Sequence, residues 1–420
     1  MADAQETARI LRRLLDSGMT ARAERLIGRM RPADRGPVLS SLTPPEIRTV
    51  VDLLFEKERA ASTLRELPPE LLPDIFEAVE DQRLAQILAR LEVDDMVELV
   101  EWLPDDRREA VLGELPASDR ADLEKAELYP ADSAGRAMVT SFMALGEEAS
   151  AQEAIDRIRG GAIDDETILY LYVVDEKSRL RGTVPLRRLV AASPEKTCGE
   201  LMVPDPVSVR ADADQEEVAQ LVGRYNLLAI PVVDDEDRLM GVITVDDVIE
   251  VIHEEATEDM YHLAGLSDED RVFSPAHHAI RKRLPWMMLN LGATFTGAWV
   301  IGLFERTLEQ IVALAFFMPV VAGMGGNGGI QSLTVITRAI ALGELEFSSG
   351  LRAVRKEVSV AVVIGAVTGI ASGVLAYLWQ GNAYLGGVLF VTMMLTMAVA
   401  GILGAAIPLL LEALDQDPAV

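Results

Sequence analysis

The first 130 residues carry apolar side chains at helical spacing, in groups separated by prolines. Val51, Leu54 and Phe55, for example, would share one face of a helix. Four proline segments separate such groups and are typical of a helix's first turn: TPPE at 43–46, LPPE at 67–70, LPDD at 103–106 and LPAS at 115–118. The pattern predicts an all-α N-terminal domain over 1–130, in which helical hairpins stack into a superhelix suited to regulation or protein contact.

From residue 137 the pattern changes to alternating helices and short strands, and it does so twice. The first copy predicts a helix at 150–159 and strands at 168–174 and 180–184. The second predicts a helix at 213–225, strands at 229–233 and 239–244, and a closing helix at 245–252. This order, and the segment AIPVVDDEDRLMGVITVDDVI in the second copy, resemble a tandem pair of α/β CBS domains, here at 137–199 and 200–259.

Four charge-free apolar stretches follow, at 286–304, 310–337, 358–379 and 380–411. Each is long enough to cross a hydrocarbon core of about 30 Å, which predicts an α-helical transmembrane bundle over 285–420, entered through a connecting, plug-like helix at 260–284. Basic residues mark the cytosolic loops: Arg281, Lys282 and Arg283, then Arg338, Arg352, Arg355 and Lys356. The N-terminus carries no signal peptide, so we predict a multi-pass protein of the inner (plasma) membrane with cytosolic N-terminal domains.

Charge divides the chain in the same way. The formal net charge is -28, and residues before 286 hold 59 acids against 34 bases. Such an acidic region argues against nucleic acid as a partner, because phosphates need lysine and arginine, and it suits inorganic cations or a basic partner. The single cysteine, Cys198, excludes an intrachain disulfide framework.

The segment TVDDVIEVIHEEATEDMYHLAG at 244–265 concentrates carboxylates on one predicted helix. Two interpretations stay open: a solvated helix face, or a contact whose like charges repel until divalent cations screen them. Thr244 and Asp247 fit an N-capping box. The same pattern in CBS domains often meets a ribose and phosphate, so an adenine nucleotide at Thr244 and Asp247 is a second candidate ligand.

Five glycines surround Asn327 within the second apolar stretch. They indicate either close helix packing or an unwound stretch whose carbonyls line a polar cavity, and Gln331 and Ser332 nearby favour the cavity. Hard cations such as magnesium take oxygen ligands, often through retained waters. No nucleophile, base and orienting group occur together in a recognisable signature, so the sequence does not predict an enzyme.

The whole chain resembles the MgtE family of magnesium channels. The resemblance rests on the acidic segment at 244–265 and on RKRLPWMMLNL, MPVVAGMGGNGGIQSLTV, RAIALGEL and IPLLLEALDQDPAV. It implies a homodimer in the lipid bilayer with a magnesium pore, closed when cytosolic magnesium bridges acidic residues. The gating ligands that it implies are Asp94, Asp95, Glu216, Asp247, Glu255, Glu258 and Asp259.

The same resemblance implies a pore lining, from which this sequence departs in three ways. The family usually has asparagine where this chain has Ile330 and near Thr396, and it has a fifth membrane helix, after the DPA motif, that carries the pore carboxylate. Without that carboxylate, a weaker cation site is expected at Gly325, Gly326, Asn327, Gly328 and Pro418. The alternative function is a non-conducting, truncated paralogue that acts as a magnesium or nucleotide sensor or interaction protein.

Overall fold

A computed structural model describes residues 2–55, 59–67, 71–160, 169–266, 276–341, 343–345 and 347–414. The chain divides into two compact units, Met1–Ile252 and His253–Val420. Each unit is described by itself below.

Between residues 2 and 126, with 56–58 and 68–70 outside the description, ten helices form the N-terminal domain, and the proline-punctuated pattern predicted such an all-α domain. Most contacts join a helix to the next but one along the chain, which is the arrangement of stacked hairpins in a superhelix. Their apolar faces share one core, in which Phe76 and Leu11 are fully buried. The helices are α1 (Ala2–Asp16), α2 (Thr20–Ile27), α3 (Pro32–Leu39), α4 (Pro44–Phe55), α5 (Ala61–Leu64), α6 (Leu72–Ala78), α7 (Asp81–Leu88), α8 (Val93–Glu101), α9 (Asp105–Glu114) and α10 (Ala117–Ala126).

The predicted proline positions are correct to within one residue where the structure describes them. Pro44 opens α4, and Thr43 donates its backbone N–H to Glu46 Oε2 over 2.7 Å, as in a capping box. Pro104 and Pro116 are the N-cap residues just before α9 and α10 and not members of the first turn. Residues 68–70 of LPPE lie outside the described residues.

Two copies of the helix and strand repeat follow, and the predicted strands match the observed ones closely. The elements are β1 (Ala144–Gly146), α11 (Ala151–Arg159), β2 (Tyr170–Val174), β3 (Leu180–Pro185), α12 (Leu186–Val190), α13 (Cys198–Leu201), β4 (Val203–Pro204), β5 (Val209–Arg210), α14 (Gln215–Tyr225), β6 (Ala229–Val233), β7 (Leu239–Thr244) and α15 (Val245–Leu263). Ser150 and Asp214 cap α11 and α14 through their side chains.

The two sheets have related topology, with orders β1-β2-β3-β4 and β5-β6-β7. The first pair in each sheet is parallel, and β2/β3 and β6/β7 are antiparallel hairpins. Each sheet also receives a segment from across the predicted boundary at 199/200: β4 pairs with β3, and Val139 exchanges backbone hydrogen bonds with Val242 of β7. The two copies are therefore interlocked.

Helix α15 continues past both predicted ends, residue 252 for the closing helix and residue 259 for the domain. It ends in a Schellman motif, in which Leu266 N–H bonds to Tyr261 O over 2.9 Å and Gly265 N–H bonds to His262 O over 2.8 Å. Gly265 has φ +67°, a conformation that favours glycine. The predicted connecting helix at 260–284 is thus not one helix: its start completes α15, its end opens α16, and 267–275 lie outside the described residues.

The second unit contains long apolar helices, as predicted for a membrane domain. Its helices are α16 (Ala276–Gly302), α17 (Glu305–Gln310), α18 (Ala313–Ala341), α19 (Phe347–Gln380) and α20 (Ala383–Glu412). In the part of the chain that the structure describes, three helices are long and apolar enough to span a membrane: α18, Ser349–Gln380 of α19, and α20. The chain is a membrane protein.

The predicted first span, 286–304, lies largely within α16 but is not among these three helices. Its polar side chains lower the mean hydropathy, and they bond to the helix's own backbone, as Thr294 Oγ1 does to Asn290 O over 2.8 Å. That stretch stays a prediction as a membrane span.

Candidate functional site

Carboxylates from two helix starts meet within the first unit. Asp94 and Asp95 lie in the first turn of α8, and Asp246 and Asp247 lie in the first turn of α15. We call these four residues the acid cluster. A helix N-terminus stabilises negative charge through its free N–H groups, which explains how each pair is tolerated separately.

Proximity of the two pairs raises the pKa of three cluster members. The pKa of Asp94 lies well above its ordinary value of 3.8, because of burial first and then repulsion by Asp95 and Asp247. Burial likewise raises the pKa of Asp95 and of Asp247, with repulsion from Asp246 contributing to both. Asp94 Oδ1 is buried, and no described group hydrogen-bonds to it. The contact therefore holds more negative charge than its surroundings neutralise.

Arg65, which follows α5, offsets part of this charge. Its Nη1 lies 3.2 Å from Asp95 Oδ2, and the bond lowers the pKa of Asp95 against the effect of burial. At the start of α15, Asp247 is held by a capping box: its Oδ2 accepts hydrogen bonds from the Thr244 hydroxyl and, over 3.3 Å, from the Thr244 backbone N–H. The predicted N-cap is thus confirmed, while a nucleotide contact by this pair stays a prediction.

The raised pKa values give a pH prediction for magnesium-free protein. A carboxyl whose pKa is raised in the closed contact holds its proton more tightly there, so the contact gains stability as the pH falls through the raised pKa and loses it as the pH rises. This change in stability occurs in the pH range between the raised pKa values of Asp94, Asp95 and Asp247 and their ordinary value of 3.8. We expect amide hydrogen exchange in 93–101 and 245–252, corrected for its intrinsic pH dependence, to slow between about pH 7.5 and about pH 5.

The turn at Asp175 is the internal reference for this experiment. Backbone N–H donation from Arg179 is the main cause that holds the pKa of Asp175 far below 3.8, so this turn loses stability only under stronger acid. Its exchange should not change over the same pH range. Arg65, Glu66 and Glu92 also face the cluster, and equal slowing at Asp175 would contradict a local origin.

The other predicted gating ligands lie on different turns. Glu216 lies in the first turn of α14, where Gln220 donates to its Oε1 over 3.4 Å. Glu255 and Glu258 lie further along α15, in the second unit, and Glu258 Oε1 is 3.8 Å from His262 Nε2. The side chain of Asp259 lies outside the described residues. The structure therefore brings Asp94, Asp95 and Asp247 together, and the gating roles of all seven residues stay predictions.

No three histidine, cysteine, aspartate or glutamate side chains among the described residues form a ready-made metal centre. Magnesium takes oxygen ligands and usually keeps several of its waters. Hydrated magnesium acts across a larger gap by charge and water-mediated bonds. The donor set, which is all carboxylate oxygen, suits that chemistry.

The glycine-rich segment of the second unit forms continuous helix, so the unwound alternative is wrong for this structure. Its carbonyls are used within α18. Gly325 and Gly328 are buried where α18 packs on α20: an added Cβ would lie 2.6 Å from Thr396 Cγ2 and 2.6 Å from Met397 Cε, respectively. Gly326 and Asn327 lie on the exposed face. Close packing thus explains two of the predicted pore residues, and Pro418 lies outside the described residues.

A groove of about 500 Å³ lies beside this segment, among α18, α19 and α20. Glu357 lines this groove together with Lys356 and is only 5% exposed. Glu357 Oε2 accepts from Ser332 Oγ over 3.0 Å, and Oε1 lies 2.6 Å from Lys356 Nζ. Neither Glu357 nor Arg65 was among the predicted site residues. Glu357 could have been found from the sequence, because it is a single acid directly before the predicted span at 358–379. No sequence feature indicated Arg65.

Three family models match the chain. The model for the MgtE divalent cation transporter matches 318–420, the MgtE intracellular N domain matches 30–132, and the CBS domain matches 134–195 and 198–254. The family descriptions follow the order of the predicted domains.

Curated relatives carry the same name. The magnesium transporter MgtE of Thermus thermophilus is 39% identical over 303 residues, 72% of this chain and 67% of that protein. The magnesium transporter MgtE of Bacillus subtilis is 40% identical over 293 residues, 70% of this chain and 65% of that protein. The matches span about two thirds of the length of these relatives.

Two solved structures resemble the non-membrane part. One, described as the cytosolic domain of the Mg²⁺ channel MgtE in complex with ATP, is 36% identical with a TM-score of 0.55, and the match covers 58% of this chain and 99% of that one. The other, the soluble part of a magnesium transporter, is 26% identical with a TM-score of 0.56, and the match covers 60% and 99%.

Proposed function

Because this chain belongs to the MgtE family, we propose that it transports magnesium across a membrane and that magnesium bound at the acid cluster controls the flux. The observation that carries the proposal is the cluster itself: four carboxylates converge from α8 and α15, three with a raised pKa, with only partial neutralisation by Arg65. A divalent cation would neutralise the negative charge that remains in this contact.

The control follows from charge. At low magnesium the carboxylates repel, and the contact between α8 and α15 loosens. At high magnesium, hydrated ions screen the repulsion and hold the two helix starts together. The same helix α15 carries Asp247 in its first turn and Glu255, Glu258 and Asp259 in later turns, so its order depends on magnesium at both ends. Closure then lowers flux when the cytosol is replete.

Transport itself belongs to the second unit. We infer that ions pass along the face of α18 that carries Gly326 and Asn327, with Gly325 and Gly328 packed against α20 behind it. Pro418 completes the proposed lining. The exposed position of Asn327 supports a pore shared by two copies of the chain, hence a homodimer. Basic residues near the start of α16, in the last turn of α18 and in the first turns of α19 support cytosolic N-terminal domains in the plasma membrane.

Adenine nucleotide is a second proposed ligand of the CBS pair, near Thr244 and Asp247. The support is the related cytosolic domain, whose description includes ATP. Because Asp247 belongs to both the capping box and the acid cluster, nucleotide and magnesium would act on the same helix start.

Magnesium uptake into proteoliposomes tests the transport proposal. Two proteins are compared at low and high internal magnesium: this 420-residue chain, and the same chain extended with the C-terminal segment of the Thermus relative. The extension is included because the matched region spans 67% of that relative. Uptake that falls as internal magnesium rises supports the proposal.

The other outcomes are equally informative. Uptake by the extended chain alone would mean that the 420 residues supply regulation and part of the pore. No uptake by either protein, together with magnesium-dependent protection of the acid cluster, would favour the non-conducting sensor. No magnesium effect on either measurement would contradict both functions.

A further inference from the structure

Arg65 is a fixed cation placed within the acid cluster. Its Nη1 lies 3.2 Å from Asp95 Oδ2, with side chains 49% and 17% exposed, respectively. Burial lowers the pKa of Arg65, but Asp95, and then Glu66 and Asp247, outweigh burial and raise it. Arg65 therefore interacts with both sides of the contact, since Asp95 belongs to α8 and Asp247 to α15.

Arg65 is a permanent counter-ion of the acid cluster, because its charge is covalently attached to the chain. A guanidinium stays protonated at any physiological pH, and its donors match a carboxylate. Among the described residues it is the basic side chain paired with the cluster, against four carboxylates. It neutralises part of the charge whether magnesium is present or not.

We propose that the Arg65 guanidinium supplies part of the positive charge that magnesium would otherwise supply at the acid cluster. It holds the contact between α8 and α15 partly closed in magnesium-free protein and so sets how strongly closure depends on the ion. The proposal rests on the proposed function, because it assigns a regulatory role within the same site. The residue acts by positioning and neutralising Asp95, and not by binding magnesium.

Removing the charge of Arg65 should increase the difference in hydrogen-exchange protection between magnesium-free and magnesium-saturated protein. In Arg65→Gln protein the magnesium-free contact loses its fixed cation, whereas at saturating magnesium the ion supplies the missing charge. Protection from hydrogen exchange should therefore fall strongly without magnesium and little with it. The ratio of protection with magnesium to protection without it should increase by about three- to fivefold, because Arg65 is 49% exposed and solvent screens an exposed ion pair. A purely structural ion pair would lower both values equally.

The experiment uses the full chain in lipid nanodiscs. Exchange of amides in 93–101 and 245–252 is measured with EDTA and over a magnesium series at constant ionic strength. Arg65→Lys keeps the charge and should resemble the parent. Arg83→Gln is the matched control, because Arg83 is also 49% exposed and pairs with Asp52 over 3.1 Å in the same domain. It should leave the ratio unchanged.

The outcomes distinguish a failure of the proposed function from a failure of the role proposed for Arg65. If the parent shows no magnesium response, the proposed function fails. If the parent responds but Arg65→Gln lowers protection equally with and without magnesium, only the role of Arg65 is overturned. Should the glutamine variant not fold, Asp95→Asn tests the same pair from its partner: one carboxylate fewer should raise magnesium-free protection, and an unchanged value would overturn the proposal.

Discussion

Replacing Asp94 and Asp247 together by asparagine should remove most of the response of the cytosolic domains to magnesium. Both residues have a raised pKa, mainly through burial, and repulsion from Asp247 is a further cause of the shift at Asp94. Asparagine keeps the shape but removes the charge. The contact should then be ordered without magnesium, and the ion should have little to bind.

The expected size follows from the bonds lost. Protection without magnesium should approach the parent's value at saturating magnesium. The small response that remains should have a midpoint at a roughly tenfold higher magnesium concentration, because a hydrogen bond to a charged group contributes about 1.5–3 kcal/mol. Hydrogen exchange of 93–101 and 245–252 measures this directly. If the variant transports, its flux should no longer fall at high internal magnesium, and it should be lower than the parent's at low magnesium.

A matched control removes the same net charge elsewhere. Asp119 and Asp122 lie on α10 of the same N-terminal domain, where they pair locally with Ser118 and Lys125. Their double asparagine variant should keep the parent's magnesium dependence. An unchanged midpoint in the Asp94 and Asp247 variant would exclude the acid cluster as the sensing site, whatever the transport result.

Within the second unit, Ser332→Ala should destabilise the packing of α18 on α19. Ser332 donates to Glu357, which is almost fully buried, so the substitution leaves a buried carboxylate with one partner fewer. An ionisable group within a membrane helix is costly unless it is paired. We expect a loss of about 2–3 kcal/mol in the free energy of unfolding.

Trp379 offers a local probe of this unfolding, because its ring stacks on Phe316 with centroids 6.2 Å apart and meets Phe317 edge-on at 5.9 Å. In a background in which Trp102, Trp286 and Trp299 are replaced by phenylalanine, its fluorescence during denaturation in detergent would report separation of α18 from α19. Ser359→Ala is the control, since Ser359 is exposed and bonds only to the Lys356 carbonyl within α19, over 2.7 Å, among the described contacts.

A double variant distinguishes a specific bond from general loosening. In Ser332→Ala with Glu357→Met the buried charge and its donor are both absent, and replacing both partners by apolar groups is often nearly neutral. The double variant should recover most of the lost stability. If it is instead less stable than Ser332→Ala alone, the hydrogen bond is not what holds the two helices.

Elements whose pattern is local were predicted well. The strand at 229–233 is β6 without a shift, and 239–244 is β7, because short apolar runs and the turn residues between them act over a few positions. The capping box of Thr244 and Asp247 is equally local. The stacked helices of the N-terminal domain were predicted for the same reason.

The candidate site was predicted in part. Asp94, Asp95 and Asp247 were named through a family resemblance, and the structure brings them together. Asp95 and Asp247 are 152 positions apart in the sequence, from 95 to 247, so no local pattern indicates that their charges meet. Arg65 was missed because an exposed arginine after a short helix looks like any solvated side chain until Asp95 is placed beside it.

By itself, then, the sequence determined the domain order, the apolar helices α18, α19 and α20, the strands and the excess of negative charge, since these follow from composition and from periodicity within single elements. Only the tertiary structure decided which charges share a contact, that Val139 joins the sheet of the other copy, and that the glycines around Asn327 pack a continuous helix against α20. The physical reason is that burial, repulsion and close approach depend on the distance in space between elements, and that distance is not written in any one segment.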